Sequence, residues 1–267
     1  MPNHAVIGTD RARLDVPIAI CRRPLSSSET NDAGALPADA YWDLVFPGFR
    51  GFGASFSPNE PDCVGESHAA DARGPVGAAF NVAPGDAVIV SGPNDIQAVW
   101  LRALRPSEKV AAGPLVLARP RPSELDAYAI GGFRGSLAHA RFELARLGVA
   151  RVVMAYDDGC ADVKVDTECD STVTFFVVVG GKLVAAAESP TQRVRFGVLK
   201  GLGRVQYRLT TDPPVFDKST AKIHERLQVR DTADEDVRKA EGDRVFILSD
   251  DLTLPAQQDS LAAQIPK

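Results

Sequence analysis

The sequence predicts an α+β fold that is mostly antiparallel β: a β-rich N-terminal portion, then a C-terminal helix and β-meander. Three observations carry this. Through the first 120 residues, short apolar runs alternate with Pro and Gly, which is the punctuation of strands and turns. At 136–148 a Ser-initiated, Gly-terminated stretch places Leu137, Phe142, Leu144 and Leu147 at roughly helical spacing. At 221–229, Ile223, Leu227 and Val229 alternate with Lys222, His224, Arg226 and Gln228, the pattern of a strand with one wet face.

Element by element, apolar runs at 14–21, 41–46, 77–82, 87–90, 98–104 and 115–118 are expected strands, each too short for a helix. The Ser, Asn, Asp, Gly and Pro content of 23–39 and the breaker-rich 58–75 mark long surface loops. After the expected helix, 150–156 and 172–179 read as strands. Gly180-Gly181 supplies the positive φ of a two-residue hairpin, and 183–187 returns from it. Runs at 193–199, 205–211 and 221–229 complete the meander. Thr232 and Glu235 form a capping-box pair for a short helix ending near Gly242, and 245–248 is a last strand. The chain therefore divides into a loop-rich β module (1–125), a helix-plus-meander module (126–254) and a peripheral tail (255–267).

The four cysteines contain no C-x-x-C pair. Sequence nearness joins Cys160 to Cys169 across a polar hairpin connection, which leaves Cys21 for Cys63. Disulfides persist in oxidising compartments, so this pairing implies a periplasmic or extracellular protein. No stretch approaches the ~20 apolar residues of a membrane-spanning helix. With 30 basic and 35 acidic residues, a net charge of -5 offers no general field for nucleic acid.

Motifs that would fix a reaction are lacking. Ser219 and Lys222 fit S-x-x-K without its companion motifs, and Gly131, Gly132 and Gly135 space as G-G-x-x-G, not as a dinucleotide fingerprint. The four histidines follow no zinc pattern. Six crowded acids, Asp157, Asp158, Asp162, Asp166, Glu168 and Asp170, are the candidate ligands for a calcium ion, since hard oxygen donors on a loop suit that cation. The only cofactor the sequence suggests is that calcium. Trp42, Phe49, Arg50 and Phe52 combine aromatics with an arginine, the composition of a recognition surface or of a small core. The expected function is binding of, or assembly with, a protein or glycan partner. The alternative is an extracytoplasmic hydrolase drawing its acid and base from distant segments, with Asp157 or Asp158 as candidates.

Overall fold

The computed structural model describes residues 18–31, 36–57, 61–68, 80–164, 167–231, 233 and 235–266. Asp166, Thr232 and the first half of the expected strand at 14–21 lie outside these residues. Strand makes up 56% of the described residues and helix 9%, which corrects the α+β expectation: the fold is mostly β, built on a nearly closed, barrel-like sheet.

In chain order the elements are β1 (Cys21–Pro24), α1 (Ser27–Asn31), α2 (Ala38–Val45), β2 (Ser55–Phe56), β3 (Phe80–Asn81), β4 (Ala87–Ser91), β5 (Gln97–Leu101) and β6 (Leu104–Ser107). Then follow β7 (Val110–Pro120), β8 (Glu124–Ser136), β9 (Arg141–Leu147), β10 (Ala150–Asp158), β11 (Cys169–Val179) and β12 (Lys182–Leu199). Last are β13 (Gly203–Thr211), β14 (Val215–Asp217), β15 (Thr220–Arg230) and β16 (Asp236–Ile247).

Strands β4, β5, β7 and β8 form one antiparallel wall, with β1 added along the first half of β8 through Cys21 opposite Ala127. A second run, β9–β10–β11–β12–β13–β15–β16, is antiparallel throughout. The two runs join where β8 meets β12 in a parallel bridge, Lys182 opposite Ile130, with the Ile130 amide donating to the Gly181 carbonyl at 3.1 Å. Gly131 permits this approach, because a Cβ there would lie 2.2 Å from the Leu183 carbonyl oxygen. At the far end β9 packs against β4 and β5. The circuit β4–β5–β7–β8–β12–β11–β10–β9 thus nearly closes into a first barrel. Because β9 also touches β14, the meander curls back on its other side around a second core.

The cores show how the wall between them is used. Trp100, Leu115, Phe133, Phe142, Val153 and Phe176 fill the first barrel, while Leu147, Val152, Met154, Phe175, Ile223 and Phe246 fill the second. Consecutive residues of β10 and β11 therefore point into different cores. This is why 152–156 is apolar at every position and does not alternate with polar residues. Outside the first wall, α2 lays Tyr41, Trp42, Leu44 and Val45 against Val99, Leu101 and Val116.

Three local expectations are corrected. The segment expected to be a helix at 136–147 is the end of β8, a turn, and β9. The Ser136 signal is real but covers only one turn: the His139 amide donates to Ser136 Oγ at 3.3 Å and the Ala140 amide to the Ser136 carbonyl at 3.2 Å. Phe142 and Leu144 then face the first core, and Ala145 and Leu147 the second. A strand buried on both faces thereby imitates a helical stripe. Gly148, φ +60°, makes a hairpin turn and not a helix end. Similarly, 236–242 belongs to β16 and not to a helix, with the Asp231 carboxylate accepting the Ala233 and Glu235 amides in the turn before it. The apolar 41–46 run, expected as a strand, lies mostly in α2, with Asp39 in its first turn.

The expected boundary at residue 125 falls inside β8. The segment 255–266 is anchored: Ala262 and Ile265 pack on Val205, Leu209, Leu227 and Val229. Buried Glu225 accepts hydrogen bonds from Ser260 Oγ (2.7 Å) and the Leu261 amide (2.6 Å).

Candidate functional site: an apolar cleft at the barrel mouth

Both disulfides form with the expected pairing, Cys21–Cys63 and Cys160–Cys169, at Cα separations of 6.0 and 5.2 Å. The first ties β1 to the 61–68 loop. There Asp62, buried, accepts from the Val64 and Glu66 amides and pairs with His68 Nδ1 at 2.5 Å. The second clamps the connection from β10 to β11.

The acidic residues around that clamp serve separate partners. Asp157 accepts from the Ser136 amide (2.8 Å), and Asp158 accepts from Ser171 Oγ (2.6 Å) and the Cys160 amide (3.3 Å). Asp162 contacts His139 Nε2 at 2.5 Å, and Glu168 accepts from the Phe196 amide at 3.0 Å. Asp170 binds Arg193 Nε at 2.6 Å and Arg195. Burial alone would raise its pKa, but these two guanidinium groups outweigh it and hold the carboxyl below the ordinary carboxylate range. Among the described residues, no three His, Cys, Asp or Glu side chains converge as a metal ion would require. No helix among them is long and apolar enough to cross a membrane.

Trp42 stacks on Phe49, which meets Phe52 edge to face, with ring centroids 5.5 and 5.4 Å apart, on the outer side of the first wall. Trp42 is wholly buried and Arg50 is exposed at the edge of the group. Neither these aromatics nor the acidic loop lines the cavity formed around Ile96, Leu117, Leu144 and Val178.

That cavity is a cleft of about 460 Å³ at one mouth of the first barrel. Its floor continues the barrel core: Ile96 follows the β4–β5 turn, Leu117 lies on β7, Leu144 on β9 and Val178 near the end of β11. The β4–β5 turn closes with the Gly92 amide donating to the Ile96 carbonyl at 2.7 Å. Asn94 and Asp95 take left-handed conformations there (φ 60° and 58°), which their short polar side chains tolerate. A Cβ on Gly92 would lie 2.5 Å from Leu144 Cδ1, so glycine lets β4 and β9 approach at the rim.

The polar groups are few. Tyr128 gives its ring to the wall while its hydroxyl accepts from Arg121 at 2.9 Å. Behind it, Asp126 is fully buried and takes Arg22 Nε at 2.8 Å and Arg121 Nε at 2.7 Å. Burial would push this carboxyl up, yet the two arginines keep it below the usual carboxylate range. At the opposite rim Arg146 and Arg151 stand directly across the β9–β10 hairpin from each other, and both line the cleft. Arg146 Nε donates to the Gly148 carbonyl at 3.0 Å. Among the described residues, no carboxylate lines the cleft.

No protein-family model, curated protein or solved structure matches the chain. Its function is therefore read from the cleft itself.

A second, much smaller cavity of about 80 Å³ exposes part of Tyr156, with the Arg141 guanidinium carbon 3.6 Å above its ring. Burial, with the Glu143 charge beside it, pushes the Tyr156 hydroxyl up to about 12.

Sequence reasoning missed every cleft residue. Its signal was present: two arginines symmetric about Gly148-Val149 become cross-strand neighbours once that dipeptide is read as a hairpin turn. The helix reading of 136–147 concealed this.

Proposed function

We propose that this is an exported, non-enzymatic binding protein whose working site is the cleft at the mouth of the first barrel. One observation carries the reading: the cleft floor is the open end of a hydrophobic core, formed by Ile96, Leu117, Leu144 and Val178. Its volume lies within the ~300–1,000 Å³ of small-molecule sites, and apolar walls with few polar groups are their usual lining. The guest is an apolar group, offered by a partner protein or a free molecule. Sugar hydroxyls would leave hydrogen bonds unmet on these walls, so a glycan fits them less well. Export is inferred from the two disulfides, which an oxidising compartment maintains.

The test uses a neutral apolar fluorophore, N-phenyl-1-naphthylamine. Fluorescence enhancement should saturate in the micromolar range with the native protein and disappear in Val178→Trp, which fills the cleft. It should persist in Val198→Trp, which alters a side chain 80% exposed elsewhere. No saturable binding, or binding indifferent to Val178→Trp, would refute the proposal.

A further inference from the structure

The cleft is apolar within and positive at one edge, and the chemistry of that edge narrows the guest. Arg146 and Arg151 occupy facing positions of an antiparallel ladder. Like charges directly opposed across two strands destabilise the pair. The tight Gly148-Val149 turn, with Leu147 opposite Ala150, holds the two arginine backbone positions side by side. Arg146 is exposed, and its only partner among the described residues is the Gly148 carbonyl. The chain as a whole carries a net charge of -5, yet Arg146 stands at a cleft whose described lining residues include no carboxylate.

We infer that the cleft takes a single-chain amphiphile with an anionic headgroup, a carboxylate or phosphate monoester, its chain on the Ile96–Leu144–Val178 floor and its head against Arg146. An anion there gains charge-assisted hydrogen bonds from the planar Arg146 guanidinium, which makes the contact. If a methylene occupies roughly the ~30 Å³ of a water molecule, the cavity holds one chain of on the order of a dozen carbons, and a two-chain lipid exceeds it. This inference rests on the cleft being the binding site, and the experiment separates the two ideas.

Isothermal titration calorimetry, below micelle-forming concentrations, compares dodecanoate, dodecyl phosphate, dodecanol and dodecylammonium. The two anions should bind at least about tenfold more tightly than dodecanol, and dodecylammonium more weakly than either. Shortening the chain should weaken each anion about fourfold per methylene removed. Arg146→Gln should bring the ratio of anion to dodecanol affinity to about one, which a purely structural role of Arg146 would not do. Raising the salt concentration should shrink that preference in the native protein, which checks the role of charge without a variant. If dodecanol and dodecanoate bind equally and Val178→Trp abolishes both, the headgroup assignment is overturned and the cleft survives as a binding site. If dodecylammonium is preferred, the assignment is likewise overturned. If no chain binds, both readings fall.

Discussion

Replacing Phe175 and Phe176 with alanine, one at a time, tests whether one β-wall serves two cores. Phe175 is fully buried in the second core, its ring 5.6 Å from Phe246 and 6.5 Å from Phe216. Phe176, 5% exposed, lies in the first barrel 6.2 Å from Phe133. Truncating a buried Phe costs about 3–5 kcal/mol, and burial this complete places both near 4 kcal/mol. At about 2–4 °C per kcal/mol for a chain of this size, each melting temperature falls by about 8–16 °C. Urea unfolding should shift its midpoint by similar amounts in the two variants and keep its slope, as one cooperative transition. Titration with N-phenyl-1-naphthylamine should then separate them: Phe176→Ala opens space beneath the cleft and changes affinity, and Phe175→Ala does not. If native stability cannot absorb the loss, Phe→Leu at both sites repeats the comparison at about 1 kcal/mol. Two resolved transitions in either variant, or equal effects on binding, would refute the shared wall.

Two further outcomes follow from buried groups and cross-links. Burial raises Tyr41 and Tyr156 to about 12, so the folded phenols stay neutral where unfolded ones, titrating near 10, ionise. Their contribution is complete below pH 10 and lost as pH rises from 10 to 12. Because burial disfavours the phenolate, ionisation of the unfolded phenols removes at most about 2.7 kcal/mol per tyrosine over this range, and less at the partly solvated Tyr156. Thermal melts from pH 8 to 12 should show the loss, reduced in Tyr156→Phe. Removing Cys21–Cys63 by paired Cys→Ser changes should cost about 4 kcal/mol and removing Cys160–Cys169 about 2.7 kcal/mol, given sequence separations of 42 and 9 residues. Urea midpoints that rank the other way would contradict the loop-entropy account.

What the sequence made legible was local. Cysteine spacing gave the disulfides, Gly180-Gly181 gave a hairpin with Val179 opposite Lys182, and the alternation in 221–229 gave β15 its wet face. What stayed hidden depended on partners distant in the chain. β9 carries apolar residues on both faces because cores lie on both sides of it, and no single-strand pattern distinguishes that from a helix. α2 escaped because its residues 40–45, apart from Asp43, are all apolar and buried, which leaves little periodicity to read. The cleft could not be read at all. Ile96, Leu117, Leu144 and Val178 meet only when β5, β7, β9 and β11 are curled into one circuit, and in the sequence each is an ordinary core residue.

The pairing of β1 with β8 has a consequence for biosynthesis. Cys21 faces Ala127, so a chain emerging N-terminus first exposes β1 long before its hydrogen-bonding partner exists. Cys63 arrives much sooner. Early oxidation of that thiol pair would secure the leading segment as a tethered flap, awaiting the later strand, and would shorten the search that otherwise slows folds rich in distant contacts.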